Sequence, residues 1–130
     1  MIKVLLADDH ALLRGSLKQL LEDTNFVQVV AQAGEYSEIM KAMGAHDVDL
    51  AILDISMPGK NGVDIVKILK DKYPALKILM LSMHPEDQYA VRCLKAGASG
   101  YLTKNTAPEK LVDAIQVIAA GRKYITPELA

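Results

Sequence analysis

The chain has 130 residues, of which 51% are hydrophobic and 24% charged, and its net charge is −1. This length fits one domain with a real core, and a near-neutral chain without a basic stripe is not expected to bind nucleic acid itself. The single cysteine, Cys93, cannot form an internal disulfide and no apolar run approaches membrane-spanning length, so we expect a cytoplasmic domain without a membrane segment.

Five short apolar runs alternate with helical patterns along the whole chain. The runs cover residues 2–7, 27–33, 50–53, 78–81 and, more weakly, 100–102. Each is followed by apolar residues at the i, i+4, i+7 spacing of one buried helix face. Five consecutive strand–helix units predict an α/β fold, with a parallel sheet covered by helices on both sides and right-handed crossovers.

The character of the runs orders the predicted sheet. The first, third and fourth runs are continuously apolar, as interior parallel strands are. The second run alternates, with one predicted face formed by Val27, Val29, Ala31 and Ala33 and the other by Gln28 and Gln32. It is therefore predicted to be one edge, and the short fifth run the other, in a doubly wound sheet of order 2-1-3-4-5. Such a sheet has its ligand crevice beyond the carboxyl ends of strands 1 and 3.

Asn61 and Gly62 predict a turn after the third strand.

Polar residues leave the predicted strands at the carboxyl edge of this sheet. They are Asp8 and Asp9 after the first strand, Asp54 after the third, Ser82 after the fourth, and Tyr101 and Lys104 along and after the fifth. Two unit charges about 4 Å apart repel by roughly 4 kcal/mol at an effective dielectric constant of 20. Three gathered carboxylates therefore require either protonation or a cation. Oxygen donors without a His or Cys cluster favour Mg²⁺.

The lysine and the serine indicate that the cation has an anionic companion. Lys104 could simply neutralise the acids, but an ammonium and a hydroxyl opposite a carboxylate and Mg²⁺ also form a cradle for a phosphoryl group. Asp54 is then the predicted nucleophile, because carboxylates can form aspartyl-phosphates. Lys104 and Ser82 would each contact one phosphoryl oxygen.

Each of these residues also has a plainer interpretation. Asp54 alone would be expected to cap a helix or lie in a solvated turn, and only the company of the other acids and the lysine favours chemistry. Ser82 alone fits a capping hydroxyl, and Tyr101 fits a half-buried aromatic on an edge strand. His10 and His84 lie near the rim without a close third ligand, so we interpret them as surface or capping residues.

The chain resembles the receiver domain of two-component response regulators. The resemblance rests on "DDHALLR", on Asp54 followed by "ISMPGKNG", on "LSMH" and on "GASGYLTKN". These segments, with the ending "GRKYITPELA", are most similar to the bacterial NarL/FixJ (LuxR-type) subfamily. The resemblance covers essentially the whole chain and implies a flavodoxin-like (βα)5 receiver domain over residues 1–120.

The resemblance also implies roles for the site residues. Asp54 would accept a phosphoryl group from a sensor histidine kinase. Asp9, Asp54 and the backbone carbonyl of Ser56 would bind Mg²⁺, with Asp8 supporting the water shell of the metal. Ser82 and Tyr101 would relay the change, the ring turning inward as the hydroxyl moves to the phosphate. The receiver would thus be a switch that assists its own phosphorylation and dephosphorylation, and not a conventional turnover enzyme.

The output is expected to lie outside this chain. Residues 121–130 would begin the linker to an absent helix-turn-helix domain, which would bind DNA and control transcription. We interpret the chain as a truncated regulator in preference to a stand-alone receiver, with a homodimer as a further expectation. Phosphorylation is expected to reshape the surface of the helix at about residues 86–96, whose apolar stripe is the thinnest, and of the strand that follows it. Asn105 stands where many receivers have a proline in a cis peptide, so that geometry is not carried over.

Three alternatives remain on the same architecture. A flavin-binding redox protein would need a Ser/Thr- or Gly-rich phosphate loop after the first strand, where this chain has two acids. A phosphohydrolase acting through an aspartyl-phosphate would need a second acid two residues after Asp54, and that position is Ser56. A degenerate receiver that serves only as a protein-binding scaffold is disfavoured by the intact set of acids.

Overall fold

The computed structural model describes residues 1–54, 61–82, 88–103 and 107–125 of the chain. Within them, five strands alternate with five helices, as predicted. The strands are β1 (Ile2–Ala7), β2 (Val27–Ala33), β3 (Leu50–Asp54), β4 (Lys77–Ser82) and β5 (Gly100–Thr103). The helices are α1 (Ala11–Glu22), α2 (Tyr36–Ala45), α3 (Gly62–Lys72), α4 (Gln88–Ala96) and α5 (Ala107–Ala119).

The strands form one parallel sheet in the order β2-β1-β3-β4-β5, which confirms the predicted topology. The three interior strands are the continuously apolar runs, and every residue of β3 is buried. Their apolar side chains are needed on both faces because helices cover both sides of a parallel sheet. β3 and β4 each extend to a polar residue, so Asp54 and Ser82 are the last residues of their strands.

Two apolar layers lie on opposite faces of the sheet. Leu5 and Ala7 point into the layer built with α2, α3 and α4, whereas Val4 and Leu6 point into the layer built with α1 and α5. This alternation follows from the two-residue period of a strand. Within the described parts of the chain, no helix combines the length and the apolar character that a bilayer span requires.

The edge strand β2 changes face in its middle, contrary to the sequence prediction. Val27 and Val29 pack in the layer of α1 and α5, but Ala33 lies in the opposite layer, with Ala31 packed against it. The pairing register of β1 with β2 shifts between Val4 and Leu5, so β2 carries one extra residue there. Because a bulge of one residue inverts a strand of period two, the four residues do not share a face.

The segment predicted to turn at Asn61 and Gly62 instead begins α3. Asn61 is the N-cap residue, and its side-chain oxygen accepts a hydrogen bond from the Asp64 backbone N–H at 2.9 Å. The Asn61 side-chain amide donates to the Asp64 carboxylate at 3.0 Å. The first of these bonds satisfies one of the backbone donors that every helix start leaves open, which favours a helix over a turn, and the second holds the two side chains together.

Replacing Asn61 by alanine is expected to lower the free energy of unfolding by about 1 kcal/mol, because the side-chain acceptor is lost. Urea denaturation followed by circular dichroism measures this change. Asn61→Ser keeps a capping oxygen and is expected to retain most of the stability. Equal stability of the wild type and Asn61→Ala would show that this cap contributes nothing.

Candidate functional site

The strand register brings three of the predicted site residues to one end of the sheet. Ala7 pairs with Leu53, so Asp8 and Asp54 are adjacent at the carboxyl ends of neighbouring strands. Asp54 pairs with Leu81, which puts Ser82 one residue further along β4. All three polar residues are buried, with Asp8 0%, Asp54 1% and Ser82 0% exposed. Side chains far apart in sequence therefore meet at the predicted switch point between β1 and β3.

The acids form a compact cluster at this edge. Asp8, Asp9, His10 and Asp54 each offer one potential ligand atom, and these atoms all lie within 4.8 Å of one another. Asp9 is the more accessible acid, with 34% of its side chain exposed. At such separations carboxylates repel one another by several kcal/mol in a partly buried setting. The geometry confirms the predicted convergence of the three acids.

The turn between β1 and α1 fixes the orientation of the first acid. The Asp8 backbone N–H donates to the Ala33 carbonyl at 2.9 Å, and its carboxylate accepts from the His10 backbone N–H at 2.8 Å. The Arg14 guanidinium, one turn along α1, donates to the Asp8 carbonyl oxygen. Bonds from β2, the turn and α1 thus hold Asp8 in place, and Asp9 follows it at the rim.

His10 also joins the cluster, although it was predicted to be a surface or capping residue. It lies at the N-cap position of α1, as expected of a capping residue, yet its side chain makes no capping bond. Its Nδ1 atom lies 3.0 Å from an Asp8 carboxylate oxygen and 3.1 Å from an Asp9 carboxylate oxygen, with the side chain 63% exposed. With a proton on Nδ1, the ring would donate to these carboxylates and offset part of their repulsion. The available signal was the spacing of two residues from Asp8, which is that of an Asx turn.

Tyr101 is buried, not half-buried as an edge-strand aromatic would be. It pairs with Met80 in the register of β4 and β5, and only 1% of the residue is exposed. The residue belongs to the apolar layer that contains Cys93 and Ala98. Although β5 is an edge strand by its hydrogen bonding, this helical layer covers its face. The ring is therefore inward in this structure.

The remaining predicted residues, Lys104, Ser56, His84 and Asn105, lie outside the described residues. Lys104 follows Thr103, the last residue of β5, whose register partner on β4 is Ser82. Lys104 therefore directly follows, in the sequence, the strand residue that pairs with Ser82. Its contact with the acids stays a prediction.

Comparisons with known proteins agree with this fold. The family profile "Response regulator receiver domain" matches residues 4–116. The response regulator UvrY of Escherichia coli O6:H1 is 37% identical over 130 residues, which are all of this chain and 60% of UvrY. The chain thus spans about three-fifths of the length of this curated relative. It belongs to the family of response regulator receiver domains.

Solved structures are similar over nearly the whole chain. The isolated receiver domain of RcsB from Salmonella enterica serovar Typhimurium, determined with the phosphomimetic BeF3⁻, has a TM-score of 0.90 at 26% identity, covering 97% of this chain and 94% of that one. A LuxR-family response regulator from Aurantimonas sp. has a TM-score of 0.90 at 32% identity, covering 97% and 90%. These relatives confirm the predicted NarL/FixJ (LuxR-type) subfamily.

Proposed function

We propose that this chain is a phosphorylation-dependent switch in which Asp54 accepts a phosphoryl group from a sensor histidine kinase. The observation that carries the proposal is a buried carboxylate at the end of β3, clustered with two further acids within 4.8 Å. Such a cluster is unfavourable for folding unless an acid is protonated or a cation binds there. Membership of the receiver family supports the same residue as the phosphoacceptor.

The donor set fits a magnesium ion. Carboxylate oxygens are the hard ligands that Mg²⁺ takes in proteins, usually one or two at a time with several waters retained. Asp9 and Asp54, with the Ser56 backbone carbonyl, are the proposed ligands, and Asp8 would bind the water shell. When bound, Mg²⁺ would offset negative charge on the phosphoryl oxygens.

The transfer step needs only one protein nucleophile. A carboxylate oxygen of Asp54 attacks the phosphorus of the kinase phosphohistidine, and the phosphorus–nitrogen bond breaks with its electron pair left on the histidine ring, which takes up a proton. The product is an acyl phosphate on Asp54. Lys104 would pair with one phosphoryl oxygen and Ser82 would donate a hydrogen bond to another. Attack of water on the same phosphorus returns the switch to its starting state.

The proposed output is a change of surface and not a chemical product. Phosphorylation adds close to two negative charges, and contacts with Ser82 would hold Tyr101 inward. α4 is the element expected to respond, with Val91 42% exposed on its surface. In the proposed cytoplasmic regulator, residues 1–120 form the receiver and residues 121–130 begin a linker. A helix-turn-helix domain after this linker would bind DNA. RcsB has been solved as dimers bound to DNA, which supports a homodimer as the active form.

Intact-mass spectrometry after incubation with acetyl phosphate tests the proposal. With Mg²⁺ present we expect one phosphoryl adduct, located on Asp54 by peptide mapping. Chelation of the metal is expected to slow adduct formation by about a hundredfold or more, because charge stabilisation of this kind contributes several kcal/mol. An adduct that forms equally fast without divalent cations would remove the metal from the proposal, and the absence of any adduct would overturn the switch itself.

A further inference from the structure

The chain does not leave the domain at the end of α5 but returns to the edge of the sheet. Gly121, with φ of +91°, follows α5, and its backbone N–H donates to the Ile118 carbonyl at 3.0 Å. The Arg122 backbone N–H donates to the Val117 carbonyl at 3.2 Å. This pair of bonds is the Schellman motif, in which a left-handed glycine reverses the chain after a helix. The reversal directs the next residues onto β5.

Tyr124 then forms a parallel bridge with Gly100 on the outer edge of β5. Its backbone N–H donates to the Ser99 carbonyl at 2.9 Å, and its carbonyl accepts from the Tyr101 backbone N–H at 3.3 Å. The Tyr124 side chain packs against the layer of α1 and α5. Tyr124 thus extends the hydrogen bonding of the sheet by one residue beyond β5.

Gly100 permits this close approach because it has no side chain. A Cβ atom at this position would lie 2.9 Å from the Tyr124 carbonyl oxygen, 3.0 Å from Ile118 Cδ1 and 3.1 Å from Leu79 Cδ1. The first of these is a backbone atom that could move only if the bridge opened. The glycine, the left-handed turn and the two hydrogen bonds are therefore parts of one arrangement.

The bridge ends on the residue proposed as the switch. At the edge of the sheet, the Tyr101 backbone N–H donates to the Tyr124 carbonyl. The rest of Tyr101 is buried in the layer that contains α4. The 3.3 Å bond from Tyr101 is the longer and weaker of the two in the bridge, so it is the bond that a change at Tyr101 would open first. One residue therefore connects the covered face of β5 to the segment that follows α5.

We propose that the Tyr124 bridge couples phosphorylation of Asp54 to the part of the chain that follows α5. The bridge is formed in a structure whose Tyr101 ring is inward, and the inward ring is the arrangement that phosphorylation stabilises in the proposed function, on which this inference rests. Phosphorylation accordingly raises the population of the closed bridge. By thermodynamic reciprocity, closing the bridge stabilises the phosphorylated state by the same factor.

Amide hydrogen exchange of the 130-residue chain, followed by NMR, tests the coupling directly. Addition of beryllofluoride with Mg²⁺ is expected to slow exchange of the Tyr124 N–H by about tenfold or more, since closed bridges protect this donor. If the phosphoacceptor site is saturated and Tyr124 exchanges at its original rate, the inference is wrong while the proposed function stands. Failure of the wild type to bind beryllofluoride overturns both.

A pair of proline variants tests the reciprocal effect. Tyr124→Pro removes the backbone N–H that donates to the Ser99 carbonyl. The variant is expected to bind beryllofluoride about five- to tenfold more weakly. Ile125→Pro is the matched control, because alternate residues of a parallel strand turn their N–H groups away from the neighbour, and its affinity is expected to stay within about twofold of wild type. Equal affinities for the two variants would overturn the coupling. The exchange measurement on the wild type decides the matter if Tyr124→Pro does not fold.

Discussion

Asp54→Ala is expected to abolish the phosphoryl adduct that acetyl phosphate forms on the wild-type chain. The methyl side chain offers no nucleophile, and the neighbouring acids cannot replace it by position. Asp8 belongs to a different strand end and is fixed through its own hydrogen bonds, while Asp9 lies further out on the rim. The expected loss is complete within the detection limit of intact-mass spectrometry, because removal of the nucleophile in covalent catalysis leaves no equivalent path.

Asp47→Ala is the matched control for this experiment. Asp47 is an exposed aspartate in the connection that precedes β3, at the opposite end of the strand from Asp54. Its removal deletes one negative charge without touching the acid cluster, so adduct formation is expected to match the wild type. An adduct that persists in Asp54→Ala would mean that another carboxylate is the acceptor. Far-ultraviolet circular dichroism confirms that both variants are folded.

Much of the fold could be predicted because the strands differ in character. Interior strands are apolar on both faces and edge strands are not, so the pattern of five runs indicated the order of the sheet. The bulge in β2 could not be predicted in this way. Val30 is an ordinary β-branched strand residue, with no glycine or proline beside it to indicate an extra residue. Only pairing with β1 showed that Val27 and Ala33 face opposite layers.

The acids of the site were predictable for a related reason. Parallel strands end at the same edge, so polar residues at the ends of β1, β3 and β4 must come close together. The contacts of His10 and Tyr124 required more than this rule. The ring of His10 reaches the acids through the local turn at the start of α1. Tyr124 reaches β5 through a helix cap and a missing side chain, and neither feature has a period that sequence patterns reveal.

The residues that stabilise the sheet and the residues of the proposed site have opposite effects on the free energy of folding. Below the rim, β1 and β3 contribute side chains with no exposed surface, which stabilise the fold through burial. At the rim the same two strands lead to carboxylates that repel one another. The apolar strands therefore have to supply the free energy that keeps the acids together. A substitution deep in β1 should for this reason reduce stability strongly, although it touches no acid.

Leu6→Ala is expected to lower the free energy of unfolding by about 2–5 kcal/mol, because a fully buried leucine loses its contacts and leaves a cavity. Leu6 lies in β1 between Gln32 of β2 and Ile52 of β3, and none of its surface is exposed. Against the 5–15 kcal/mol that typically stabilises a domain, this is a loss of roughly a third. Urea or thermal denaturation followed by circular dichroism measures it.

Leu12→Ala provides the same substitution on the surface of α1, where the leucine is 90% exposed. Its free energy of unfolding is expected to stay within about 0.5 kcal/mol of wild type, since no buried contact is removed. Because both variants remove the same side-chain atoms, the difference between the two leucines separates the effect of burial from the effect of side-chain size. Equal losses for both variants would mean that the packing of β1 is not what holds the sheet, and the account of how the acids are kept together would fail with it.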